Sequence, residues 1–339
     1  MKLARLLVAL LIVLAGTLLT VIAVFSVRPD LSALPSQSAT LSAPRADSLR
    51  IQWLGTSSLL VSDGQTHIIT DAYFSRIDKL ASVTRPMAPD VGRIDAALKA
   101  SNIEKVDVIP VLHSHFDHVL DSPWVAMRTG ADLAGSESTL NVGRGAGMSE
   151  QQLKLAIPGE PMRYGDFEII FLLSDHVPQA EWINRLTGIN ETIDEPLTPP
   201  APIDAWKEAE SYALLVRHPY GDVLIQGSAG FVEGQLEGYQ ADIAFVSSVG
   251  LSRQEQGYVP DYVRNTVGAT GATTVIPIHW DDFFVALDAN TPALPRVMED
   301  LHASFNLLNG ELEKLGTSLT YMRPMETIYF RTSPEQIAP

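Results

Sequence analysis

The sequence predicts a layered α/β domain preceded by one apolar helix of membrane length, on three observations. Strand and helix patterns alternate in the βαβ manner. Three buried-strand patterns, ending at Leu112, Leu173 and Ile278, each lead within three residues to a histidine. Finally, Leu6 to Val27 is a run of 22 residues without a charge, about 33 Å long as a helix.

That run follows the basic start Met1-Lys2-Leu3-Ala4-Arg5, which would stay on the cytoplasmic side and leave everything after Arg28 exoplasmic, in the periplasm or outside the cell. The run is longer than a signal-peptide core, and Ala23-Val24-Phe25-Ser26-Val27 offers no clean A-x-A site. Residues 1–28 therefore read as an uncleaved signal-anchor in preference to a cleaved signal peptide. Residues 29–47, with Pro29, Pro35 and Pro44 among Ser and Ala, read as a tether. A single domain is expected over 48–333.

The composition, 46% hydrophobic and 19% charged, is globular. There is no cysteine, which removes disulfides, thiolate nucleophiles and Cys-rich zinc sites and leaves His and carboxylate to hold any metal. Residues 1–30 carry a net charge of +2, leaving −18 on the rest. An acidic body disfavours nucleic acid as partner or substrate.

In chain order, Leu49 to Val61 and Thr66 to Asp71 read as two strands joined at Asp63-Gly64. Asp71 ends the second, where it is either a cap or a site residue. A helix follows over Asp90 to Ala100, then a strand over Val106 to Leu112, a helix opening near Asp117, a helix with Pro123 in its first turn, and a strand over Ala131 to Gly135. Gly143, Gly145 and Gly147 read as a loop, since no strand precedes them and no G-K-[ST] follows. Strands are expected at Met162 to Tyr164 and Phe167 to Leu173. Residues 178–205 carry five prolines but too many apolar residues for a linker, and read as a lid-like insertion. Next come a hairpin (Ser211 to Arg217 and Gly221 to Gln226), a strand over Asp242 to Ser247, a helix over Pro260 to Gly268 and a strand over Thr273 to Ile278. The tail holds an amphipathic helix from Pro292 to Leu315 and strands at Ser318 to Met322 and Glu326 to Phe330.

The most informative stretch is Val111-Leu112-His113-Ser114-His115-Phe116-Asp117-His118-Val119, which sets four potential ligands within six residues on a strand-to-helix turn. His113 and His115, two apart, can aim at one point while Asp117 and His118 diverge to a second, which suits two metals. His176 and His279 repeat the strand-end placement. His67, His218 and His302 read as ordinary strand, turn and helix residues.

From Ile51 to about Phe330 the chain resembles the metallo-β-lactamase superfamily, on the H-x-H-x-D-H signature with His176 and His279 downstream. Trp53-Leu54-Gly55-Thr56-Ser57-Ser58, Ile69 to Ser75 and Pro277-Ile278-His279-Trp280 are similar to the branch containing L-ascorbate-6-phosphate lactonase and N-acyl-phosphatidylethanolamine phospholipase D. The resemblance implies a four-layer αββα sandwich and one or two divalent metal ions. It assigns one ion to His113, His115 and His176 and the other to Asp117, His118 and His279. Zinc suits such a set, and iron and manganese use similar ones. It further implies hydrolysis of an ester, lactone, amide or phosphodiester by a metal-activated hydroxide, with Asp117 as the catalytic carboxylate and Asp71 or Asp121 positioning a ligand histidine. A small-molecule or lipid-like substrate fits the acidic body and the anchor. Two positions depart from the branch. Thr56 stands where His is usual, and Ser228, in Gly227-Ser228-Ala229-Gly230, stands where a bridging Asp is usual. Asp281 and Asp282 are either replacements or turn residues. A non-catalytic metal-binding envelope protein of the same fold is the alternative.

Overall fold

The structure, a computed structural model, describes residues 2–34, 41 and 43–332. The expected tether therefore lies partly outside the described residues, as does residue 333. The N-terminal run forms α1 (Lys2–Ser26), and within it Ala9–Ser26 is long and apolar enough to cross a membrane.

Two seven-stranded mixed sheets make up the domain. The first contains β1 (Leu49–Trp53), β2 (Leu59–Ser62), β3 (His67–Ile69), β4 (Val108–Pro110), β5 (Asp132–Gly135), β6 (Leu153–Leu155) and β14 (Thr327–Phe330), ordered β14-β1-β2-β3-β4-β5-β6. The second contains β7 (Pro161–Tyr164), β8 (Phe167–Ser174), β9 (Ser211–Arg217), β10 (Val223–Gln226), β11 (Ile243–Ser247), β12 (Thr274–Ile278) and β13 (Ser318–Leu319), ordered β13-β12-β11-β10-β9-β8-β7. Each sheet pairs antiparallel over four strands and parallel over the remaining steps.

Side-chain alternation explains how the sheets stack. Ile51 and Trp53 of the first sheet pack with Phe171, Leu214, Phe245 and Ile276 of the second, forming the central core. The opposite face of the first sheet, with Ile109 and Leu133, is covered by α3 (Val91–Ala100), α5 (Ser122–Thr129) and α6 (Glu137–Gly145), which contribute Ile94, Leu98, Val125 and Leu140. The outer face of the second sheet packs Val246 and Val275 against Tyr262 of α8 (Tyr258–Val263) and Leu308 of α9 (Leu301–Lys314). The layers are α, β, β, α, as the sequence leads one to expect.

Several local expectations are corrected. Leu49 to Val61 is not one strand, because Gly55 (φ +80°) and Thr56 (φ +51°) reverse the chain between β1 and β2. Gly143 and Gly145 belong to α6 rather than a loop. A β-carbon on Gly145 would lie 1.9 Å from the Leu197 carbonyl oxygen, so glycine is what lets the insertion pack onto this helix. The 178–205 segment contains a helix, α7 (Glu181–Thr187), and a further short helix, α2 (Lys79–Thr84), precedes α3. The tail helix begins only at Leu301, capped by Asp300, and the strand expected over Ser318 to Met322 stops at Leu319.

Gly55 also makes room for a buried ion pair. Arg76 and Asp281 are both fully buried, with Nη1 2.6 Å from Oδ2, and a β-carbon on Gly55 would come within 1.9 Å of the guanidinium. Gly55→Ala is expected to cost about 2–4 kcal/mol through positive-φ strain and displacement of that pair. A lowered urea midpoint at constant slope would show it; an unchanged midpoint would contradict it.

Candidate metal centre

The six predicted ligands converge. His113, Asp117 and His118 come from the turn after β4 and the one-turn helix α4 (Phe116–Val119), with His115 at its N-cap. His176 follows β8 and His279 follows β12. Backbone bonds lock the sheets together here: Tyr212 N–H to Leu112 O (2.8 Å), Ser114 N–H to Glu208 O (2.9 Å) and His279 N–H to Thr56 O (3.0 Å). Within His113, His115 and His176 one donor atom from each lies within 4.8 Å of the others, and the same holds for Asp117, His118 and His279. The triads abut, since the rings of His113 and His118 are centred 3.7 Å apart.

Whether these residues fit a cation depends on which ring nitrogen carries the proton. His115 Nε2–H donates to the Thr187 carbonyl (3.0 Å), leaving Nδ1 facing His113 Nε2 at 3.1 Å. His176 Nδ1–H donates to the Val177 carbonyl (2.9 Å), and His118 Nδ1–H to Asp71 Oδ2 (2.8 Å). In all three, an acceptor behind the ring fixes the tautomer and turns a lone pair toward the other donors, the arrangement metal-ligating histidines require. Burial, reinforced by His176, pulls His115 down to about 3, and burial with His118 holds His113 well below the usual histidine range, so both rings stay neutral. Burial alone would raise the Asp117 carboxyl, but His118 and His279 outweigh it and hold Asp117 far below the usual carboxylate range. Its Oδ2 is 3.4 Å from His279 Nε2 and 3.9 Å from His118 Nε2. Burial would lower His118, but Asp71 and Asp117 outweigh it and raise it above the ordinary histidine range. Imidazoles with one anionic carboxylate form a donor set suited to divalent ions.

Asp71 lies behind the site. Its Oδ2 accepts from His118 and from Ser57 Oγ (2.7 Å), while Oδ1 accepts the Leu112 N–H at 2.7 Å. It sits at φ +44°, and Thr56, Arg76 and His279 around it are likewise at positive φ. Non-glycine residues persist there only when their surroundings hold them.

Three further positions have other partners. Asp121 touches no ligand histidine: it accepts from the N–H groups of Phe74 (2.6 Å) and Ser75 (2.5 Å) and from Ser75 Oγ, pinning that loop. Ser228 Oγ accepts the Val177 N–H at 2.9 Å and so fixes the backbone beside His176 instead of bridging. The turn leaves no slack, since a β-carbon on Gly230 would lie 2.0 Å from the Asp175 carbonyl oxygen. Asp281 and Asp282 are taken by cationic side chains, Arg76 for the first and Arg28 (2.5 Å) for the second.

The insertion forms one wall. Leu197 N–H bonds the Asn141 carbonyl and Asn141 Nδ2 bonds the Ile193 carbonyl, so the segment is pinned to α6. Between α7 and the Phe231 and Tyr258 side chains lies a cavity of about 350 Å³ onto which His176 opens, with Asn184, Asn190 and Glu208 as polar lining. Sequence reasoning missed Thr187, Val177 and Glu208. The first two act through carbonyls, which carry no residue signature.

A third cluster, Asp63, Asp166 and His218, also brings donor atoms within 4.8 Å. There His218 Nδ1 accepts the Tyr220 N–H (3.1 Å), so the neutral ring carries its proton on Nε2, facing Asp63 at 3.5 Å. With no lone pair turned inward, this is a histidine–carboxylate contact and not a metal centre.

No family model matches the chain. A UPF0173 metal-dependent hydrolase from Anaeromyxobacter sp. (strain K) is 37% identical over 84 residues, 24% of this chain and 25% of that protein. The match thus spans about a quarter of that relative's length. Among solved structures, a novel metallo hydrolase from the archaeon Ignicoccus hospitalis superposes with TM-score 0.53 at 15% identity, over 84% of this chain and 100% of that one. A possible metal-dependent hydrolase from Veillonella parvula gives 0.50 at 10%, over 83% and 99%. These likenesses bear on the fold alone, two mixed sheets with helices on their outer faces.

Proposed function

We propose that this protein is a metal-dependent hydrolase, held to a membrane by α1 with its domain outside, acting on a neutral or lipid-like ester, lactone, amide or phosphodiester. The observation that carries the reading is the set of hydrogen bonds accepted by the Thr187 and Val177 carbonyls and the Asp71 carboxylate, which leaves His115, His176 and His118 each with a lone pair turned inward. His113, His115 and His176 would hold one divalent ion, zinc being the best match to the donor set, and Asp117, His118 and His279 a second. Bound there, the ions would supply Lewis acidity and lower the pKa of a water toward ~7.

The chain's own residues do the rest. Asp117, ionised, orients the attacking water and accepts its proton. Asp71 keeps His118 in the required tautomer. The pinned 178–205 wall shapes the cavity beside His176, whose Asn184 and Asn190 side chains suit a neutral polar group more than a polyanion, in keeping with the acidic body. Trp53 to Ser58 and Pro277 to Trp280 favour the lactonase and phospholipase D branch within the superfamily.

One observation favours a second reading, metal binding without turnover: the turn at Gly227–Gly230 offers a hydroxyl where a bridging carboxylate is usual in the branch. Turnover of neutral p-nitrophenyl ester, lactone, amide and phosphodiester substrates by the full chain, lost on chelation and restored with zinc, supports hydrolysis. Metal retained with no turnover on any substrate supports the second reading.

A further inference from the structure

α2 is short, yet two of its large apolar side chains face outward, Leu80 at 68% exposure and Val83 at 56%. Three residues apart, they share one helix face. Lys79, the first residue of α2, shows what lies beside that face. Its ammonium sits 5.3 Å from the ring centre of Phe25, in the last turn of α1, and 5.0 Å from that of Phe284. The chain leaving α1 is fixed to the domain at the same place. Arg28 Nη1 bonds the buried Asp282 (2.5 Å) and the Ala293 carbonyl (2.6 Å), and the Val27 carbonyl accepts the Arg296 N–H (2.9 Å). From Phe284 an aromatic path runs inward, Phe284 to Phe283 at 4.4 Å and Phe283 to His279 at 5.2 Å between ring centres.

We infer that the Leu80–Val83 face of α2 is a membrane-contact patch, and that the Val27–Arg28 junction holds the His279 flank of the metal centre toward the bilayer. The inference rests on α1 being a membrane anchor. If α1 ends at the interface, Phe25 lies at the depth where aromatic rings settle, and α2, against Phe25, lies at the same level. Two apolar side chains there remove surface from water by entering the headgroup region. A body of net charge −18 has no general attraction to an anionic leaflet, so contact depends on such a local patch.

Because the chain has no cysteine, single labels are unambiguous. Ile12→Cys, Leu80→Cys, Val83→Cys and, as an exposed apolar control, Ile157→Cys would be labelled with a nitrobenzoxadiazole fluorophore in the full chain. Each would be reconstituted in phosphatidylcholine–phosphatidylglycerol vesicles containing acyl-brominated phosphatidylcholine. Quenching at 80 and 83 is expected to be at least about twofold stronger than at 157 and to accompany quenching at 12. Quenching at 12 with none at 80 and 83 overturns the patch while the anchor stands; none at 12 overturns both. Arg28→Ala is expected to weaken quenching at 80 without changing it at 12, and an unchanged signal at 80 overturns the role of the junction.

Discussion

Replacing His115 with alanine is expected to remove most of the bound metal and to lower turnover on the order of 10³-fold. The effect should be large because His115 Nδ1 faces His113 Nε2 at 3.1 Å and its ring stands 5.0 Å, centre to centre, from that of His176, so the first triad loses its middle donor. The fold should survive, since among the described residues the ring's one other polar contact is its bond to the Thr187 carbonyl, worth about 1 kcal/mol. His67→Ala and His302→Ala should leave metal content and turnover near wild type. His67 is occupied by a bond from its Nδ1 to Ser62 Oγ at 2.7 Å, and His302 lies on α9. Metal analysis and turnover on the three variants check this, and equal loss in all three would sink the assignment.

Asp71→Asn is expected to weaken the second ion about 10–100-fold while sparing the first. The carboxylate presents only acceptors to His118 Nδ1–H, Ser57 Oγ–H and the Leu112 N–H. An asparagine that keeps its oxygen on the Leu112 amide turns an N–H toward His118. The ring must then accept on Nδ1 and carry its proton on Nε2, which removes the lone pair from the metal side. Since the Leu112 amide stays bonded, the stability loss should be confined to about 1–2 kcal/mol. Zinc titration separates the two affinities, and a loss from both ions in proportion would point to unfolding instead.

The candidate ligand positions were legible because histidines at the ends of apolar strands leave a pattern: burial periodicity marks the strand, and a polar residue at its end marks the edge where loops gather. Asp71 was legible for the same reason. What surrounds the ligands was not. The carbonyls of Thr187 and Val177 choose the tautomers of His115 and His176, and every residue has a carbonyl. The break at Gly55-Thr56 was passed over although Gly55 to Ser58 interrupts the apolar pattern, because no Pro, Asn or Asp marks the turn between Leu49 and Val61. Gly143 and Gly145 looked like a loop, since their reason for being glycine is a contact with residues on other elements, such as Leu197. Asp121 and Ser228 were placed by nearness to the motif and by analogy, yet a carboxylate or hydroxyl near a metal site serves equally well to hold a backbone amide, as both do here. Arg76 received no role at all, because its partner Asp281 is distant in sequence.

Whether two adjacent triads each hold an ion is read from the number of zinc ions per chain after loading and desalting. The wild-type protein should carry close to two. His113→Ala and His279→Ala, which each disable one triad, should carry close to one, and the double variant none. A wild-type protein that binds no zinc, iron or manganese, or a His279→Ala variant with the wild-type count, would contradict the account.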